Sequence, residues 1–152
     1  MNEANAAILE AQYNAYSTAL WHRLPDTRSQ MPAFLDSLPQ RDRHALVLEV
    51  FDGQVCNGGF SQWEGNGYLA EDQDTLLLAL PRLKASVQGE DATVVALVEE
   101  LAGLAIRHVA NCDDPRHLND EEYEYLGGLD DRYYTVNERF RTIYQGYFLA
   151  WA

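Results

Sequence analysis

The sequence predicts an all-α protein, and three observations carry that expectation. Apolar residues recur at three- and four-residue spacing through most of the chain, the period of one helix face. No segment sustains alternation at period two, so nothing reads as a half-buried strand. Proline and glycine fall mostly between the periodic runs, as punctuation should. The expected architecture is a single compact, bundle-like domain of about six or seven helices spanning residues 1–152.

The first run carries Leu9, Tyr13, Tyr16, Leu20 and Leu24, with Trp21 beside the stripe, and predicts a helix over 3–24 that ends before Pro25. Pro25, Pro32 and Pro39 break the connector that follows, where a short helical turn fits at 31–38. From Gln40 the period resumes with Val47, Val50, Phe51 and Val55, and this helix runs into an unusual corner. Beyond it, Phe60, Trp63 and Tyr68 suggest a short helix cut off by Gly65 and Gly67. Asp72 or Asp74 then caps a helix with Leu76, Leu77, Leu80 and Leu83, in which Pro81 predicts a kink or a break and Gly89 an end. Asp91 and Thr93 open the next helix, whose stripe of Val94, Val98, Leu101, Ala105 and Val109 is widened by Val95, Leu97 and Leu104. That width predicts a central, buried helix. Asn119 or Asp120 should cap a short helix over 120–126, with Gly127 and Gly128 stopping it. The last helix is expected at about 130–151, with Val136, Phe140, Ile143, Tyr147 and Trp151 on one face.

The corner is Cys56-Asn57-Gly58-Gly59-Phe60-Ser61-Gln62-Trp63-Glu64-Gly65-Asn66-Gly67. Polar linkers do not place Phe and Trp three apart, so this stretch reads as a buried turn between helices. Gly58 is expected to supply positive φ, Asn57 a side-chain cap, and Gly59 a close backbone approach. A phosphate at the new helix N-terminus is disfavoured, because no Lys or Arg lies between residues 44 and 81.

Charge bounds the function. The chain holds 24 acidic and 11 basic residues, a formal net charge of −13. Nucleic acids and anionic membranes should repel such a surface, and basic proteins should attract it. No apolar run approaches the roughly 20 residues that span a bilayer, and no signal-peptide pattern opens the chain. Cys56 and Cys112 read as two reduced thiols, and the expected location is the cytoplasm.

No catalytic constellation emerges, so the expectation is a protein that is not an enzyme and needs no cofactor. Cys56 and His44 lie twelve residues apart on one predicted helix, about 18 Å along its axis, too far to form a nucleophile–base pair. His108, Cys112 and His117 match zinc-ligand spacings only loosely, and no metal site is expected there. The acidic residues are the better lead. Asp113, Asp114, Asp120, Glu121, Glu122 and Glu124, followed by Asp130 and Asp131, form the densest group. Carboxylates along exposed helices can present charge at spacings comparable to those of DNA phosphates.

With the corner in view, the sequence resembles a bacterial domain-of-unknown-function family that contains a DNA-mimic protein. The resemblance rests on Glu49, then Asn57, Gly58, Gly59 and Phe60, then Gln62, Trp63 (usually Tyr in the family) and Asn66. It extends through Ala79-Leu80-Pro81-Arg82-Leu83-Lys84-Ala85, where the family often has a Gly and no Pro, to Leu129-Asp130-Asp131-Arg132-Tyr133-Tyr134. It implies an all-helical, often dimeric domain with no established enzymatic activity. In the DNA-mimic member, surface carboxylates imitate phosphates and occupy the DNA-binding face of a transcription factor. The expectation is therefore an acidic interaction protein, with a basic DNA-binding regulator as partner and no direct nucleic-acid binding. The alternative is an immunity or antitoxin-like protein that neutralises a basic toxin such as a nuclease.

Overall fold

A computed structural model describes residues 2–66 and 73–151. It contains seven α-helices and one 3-10 turn, with no strand among the described residues. The elements are α1 Glu3–Trp21, the turn Arg28–Gln30, α2 Met31–Ser37, α3 Gln40–Asn66, α4 Gln73–Ala85, α5 Gly89–Ala110, α6 Asp120–Tyr134 and α7 Asn137–Ala150. The all-α expectation holds. Tyr68, Gly67 and the Asp72 cap lie outside the described residues.

Helices α3, α5 and α7 form the middle of the bundle, and each packs on the other two. α4 lies against α3 and α5, α6 against α3, α5 and α7, and α1 against α7 and α3. The main core runs from Tyr13 through Leu48, Phe51, Phe60 and Trp63 to Leu80, Val98, Leu101, Phe140 and Phe148. A smaller cluster seats α2, with Met31, Leu35 and Leu38 packed on Leu20, Leu46 and Val50.

Five boundaries differ from expectation, the first being the end of α1, at Trp21 rather than at residue 24. Helix α6 passes through Gly127 and Gly128 and ends only at Tyr134, so those glycines do not stop it. An N-terminal capping box holds its start, with the Asn119 side chain accepting from the Glu122 N–H and the Glu122 carboxylate accepting from the Asn119 N–H. Leu126, Leu129 and Tyr133 then bury one stripe of it, and packing outweighs the glycines' weak propensity. The last helix consequently starts later, at Asn137. Pro81 does not divide α4, which continues to Ala85. The carbonyl this proline cannot pair belongs to Leu77, on the exposed side of the helix. Gly89, finally, opens α5 with φ of 61° rather than ending the segment before it.

Gly128 is exposed, and a Cβ placed on it meets nothing within 4 Å. Gly128→Ala should therefore stabilise the protein by about 0.5–1 kcal/mol. Urea denaturation checks this, and a lower midpoint would show that the glycine is required.

Candidate interaction surface and its scaffold

The predicted corner is a sharp break within α3. Gly58 sits at φ −150°, ψ 16°, and Gly59 at φ 77°, ψ −177°. Gly59, not Gly58, is thus the residue that needs left-handed backbone. Asn57 is exposed and does not cap the new turn. The cap comes from a distant residue instead, because Phe60 N–H donates to Asp130 Oδ1 at 2.7 Å. A side chain on Gly59 would collide with that carboxylate, so the glycine both turns the chain and admits the cap. On the other side of the break, the Tyr134 hydroxyl donates to the Val55 carbonyl at 3.0 Å. In an unbroken helix that carbonyl would receive the Gly59 N–H.

The bend folds the second half of α3 back on the first. Gln62 Nε2 and Asn66 Nδ2 both donate to Gln54 Oε1, at 3.1 Å and 2.8 Å. In a straight helix residues 54 and 66 would stand about 18 Å apart along the axis. Phe60 and Trp63 close the inside of the bend, with the Trp63 ring edge-on to Phe51 at 4.9 Å and Phe60 against Tyr133 at 5.9 Å.

Two carboxylates on α3 tie this frame together. Glu49 accepts from Tyr13, Ser17 and the Trp21 indole, and so fastens α1 to α3. Asp52, only 2% exposed, accepts from Tyr133 at 2.5 Å, Tyr144 at 3.1 Å and Arg141 Nε at 2.8 Å, which joins α3 to α6 and α7. Burial and the Asp52 charge push both tyrosines well above their ordinary range, so the hydroxyls stay protonated and donate. The Asp52 hydrogen bond raises Arg141 in turn. Cys56 donates weakly to Asp52 at 3.4 Å, and burial is the main cause of its raised pKa, with the Asn137 amide opposing. It is a thiol at neutral pH, not an activated nucleophile. Sequence reasoning missed Asp52 and Arg141, because their partners come together only when α6 and α7 pack on α3.

The acidic residues divide into two kinds. Asp113, Asp114, Asp120, Glu121, Glu124 and Asp131 are exposed on the α5–α6 connection and along α6. At 100° per residue, Asp120, Glu124 and Asp131 share one side of α6 within about 40°. Tyr123 and Tyr125 stand exposed beside them. Glu122 and Asp130 are committed to the fold, one in the capping box and the other at the α3 bend. Desolvation raises the Asp130 pKa, with the Asp131 charge adding to it and the Phe60 N–H opposing.

His108, Cys112 and His117 face different partners. His108 stacks on Tyr125 at 4.1 Å, Cys112 donates to the His108 carbonyl, and His117 pairs with Asp114 at 2.9 Å. Among the described residues no group of three or more His, Cys, Asp or Glu could hold a metal ion. No helix there is long and apolar enough to cross a membrane.

Fold and surface together define a class: an all-helical protein in which a buried and a half-buried carboxylate brace the frame while others stud an exposed helix. The chain belongs to the DMP19-like protein family, whose model matches residues 36–150, well over half of its length. The match contains the α3 bend, both bracing carboxylates and the acidic helix, and it leaves out α1, which Glu49 holds in place. No curated protein and no solved structure matches the chain.

Proposed function

We propose that this protein is a non-enzymatic interaction protein that acts as a DNA mimic. Its acidic surface would occupy the basic DNA-binding face of a transcriptional regulator or another DNA-binding protein. The observation that carries the reading is the exposed row of Asp120, Glu124 and Asp131 on α6, extended by Asp113, Asp114 and Glu121. Membership of the DMP19-like family and the net charge of −13 support it. The exposed rings of Tyr123 and Tyr125 add the contact area that interface anchors usually supply. A surface of this kind attracts a basic partner at long range, and the attraction falls as salt screens it.

The test begins with the partner recovered on the immobilised protein at low salt. Its complex should weaken at least about tenfold as salt rises from roughly 50 to 200 mM. Duplex DNA should compete for the same partner. Joint replacement Asp113→Asn, Asp120→Asn, Glu121→Gln and Glu124→Gln should abolish binding and leave the melting temperature within a few degrees, since these side chains are exposed. A partner that binds DNA and this protein at once would refute mimicry. A partner without DNA affinity but with toxic nuclease activity would move the reading to an immunity protein.

A further inference from the structure

Away from the acidic helix, a second feature points to a ligand of its own. A polar slot of about 310 Å3 opens between α1, α3 and α7, lined by Glu10, Asn14, Glu49, Asp52, Arg141 and Gln145, among others. Its neighbour along the same helix pair, about 300 Å3, shares Glu10, Arg141 and Gln145 and adds Glu138.

Gln145 is the telling residue. It is 7% exposed, yet its side-chain amide has no hydrogen-bond partner among the described residues, and it lines both openings. The bulk of the residue is buried, but its amide atoms reach the solvent of the slot and are held by no described protein group, so they are free to bond a ligand there. Glu10 and Asn14, across the slot on α1, also make no side-chain hydrogen bond among the described residues, so three sets of acceptor oxygens stand free. The charge of the lining is one-sided. Glu10, Glu49, Asp52 and Glu138 carry four carboxylates against one guanidinium, and Arg141 already spends its Nε on Asp52. Glu49 and Asp52 are engaged by their own donors, so they supply field rather than contacts.

We propose that this slot binds an alkylguanidinium group, with the Glu10 carboxylate and the Gln145 and Asn14 carbonyl oxygens as direct acceptors. A guanidinium suits it better than an ammonium. Its five N–H donors form a planar fork that can meet acceptors on two walls at once, whereas an ammonium is a compact point charge. The group could arrive as a free small molecule or as an arginine side chain of a protein, and the experiment separates the two.

Ethylguanidinium chloride is titrated into the full-length protein at constant ionic strength, and side-chain amide signals are followed by NMR. The expected result is a saturable shift of the Gln145 and Asn14 side-chain signals. Tetramethylammonium, a cation with no donor, should produce none. Gln145→Leu and Glu10→Gln should each weaken binding at least tenfold while the backbone spectrum stays native, because Glu10 is exposed and Leu conserves the bulk of Gln145. An arginine-containing peptide that binds at least tenfold tighter than ethylguanidinium identifies a protein side chain as the source. Equal affinity identifies the free cation. Non-saturable shifts, equal response to tetramethylammonium, or full binding by Gln145→Leu would overturn the proposal. The variant neutralised at 113, 120, 121 and 124 should keep this binding, so the slot and the acidic helix can fail independently.

Discussion

Asp52→Ala should destabilise the protein by about 3 kcal/mol, among the largest single-residue effects expected in this fold. The side chain is 2% exposed and accepts from two buried tyrosines and Arg141. Its removal strands the Tyr133 and Tyr144 hydroxyls, at about 1–3 kcal/mol for each buried donor left unpaired. Arg141 suffers less, because its side chain is 40% exposed and water can reach it. That places the loss at the lower end of the range for breaking a buried ion pair. Asp52→Asn keeps one acceptor oxygen and should fall between wild type and alanine. Tyr133→Phe removes one donor and leaves the carboxylate its others, so about 1 kcal/mol is expected. Chemical denaturation ranks the three. If Asp52→Ala lost less than about 1 kcal/mol, the buried cluster would be close to neutral, as some buried pairs are when replaced by apolar groups.

Gly59→Val should cost about 2–4 kcal/mol through two separable effects. Left-handed backbone at φ 77° penalises a side chain by about 1–2 kcal/mol. The new Cβ also meets the Asp130 carboxylate, and losing a helix cap costs about 0.5–2 kcal/mol more. Because the second effect acts through Asp130, Gly59→Val and Asp130→Ala should combine to less than the sum of their separate costs. Gly58→Val should lose stability for a different reason. Its φ of −150° is negative and carries no left-handed penalty, but a Cβ there lies 2.8 Å from the Gln62 Cβ. Gly53→Ala is the matched control, in the same helix with nothing within 4 Å, and should be neutral or stabilising. Thermal melts of the four single variants and of the 59/130 double variant give the order, and strict additivity at 59 and 130 would remove Asp130 from its capping role.

The family-bearing corner illustrates what could be read early. Two adjacent glycines before a Phe and Trp one turn apart announced a buried bend, and Phe60 and Trp63 do line its inside. Which glycine takes positive φ depends on where the Asp130 carboxylate arrives, seventy residues later in the chain. No local pattern contains that. Asp130 itself looked like one more surface acid beside Asp131, and only packing of α6 against α3 turned it into a cap. Gly127 and Gly128 misled for the complementary reason. Their local preference is to stop a helix, and the buried stripe of Leu126, Leu129 and Tyr133 overrides a penalty of about 1 kcal/mol each.

What the sequence determined by itself was the helical class, the place of the main bend and the strong negative charge. These follow from apolar spacing, glycine placement and a count of ionisable groups, each visible without contacts. The tertiary structure decided which carboxylates are bracing and which are free. Asp52 and Glu49 are chemically the same pair of side chains as Asp120 and Glu124. They differ in surroundings. Burial among tyrosine, tryptophan and arginine donors commits the first pair to the frame, while exposure on α6 leaves the second pair available to a partner. Desolvation must be compensated by hydrogen bonds wherever a charge is buried, and only the assembled fold brings those donors together.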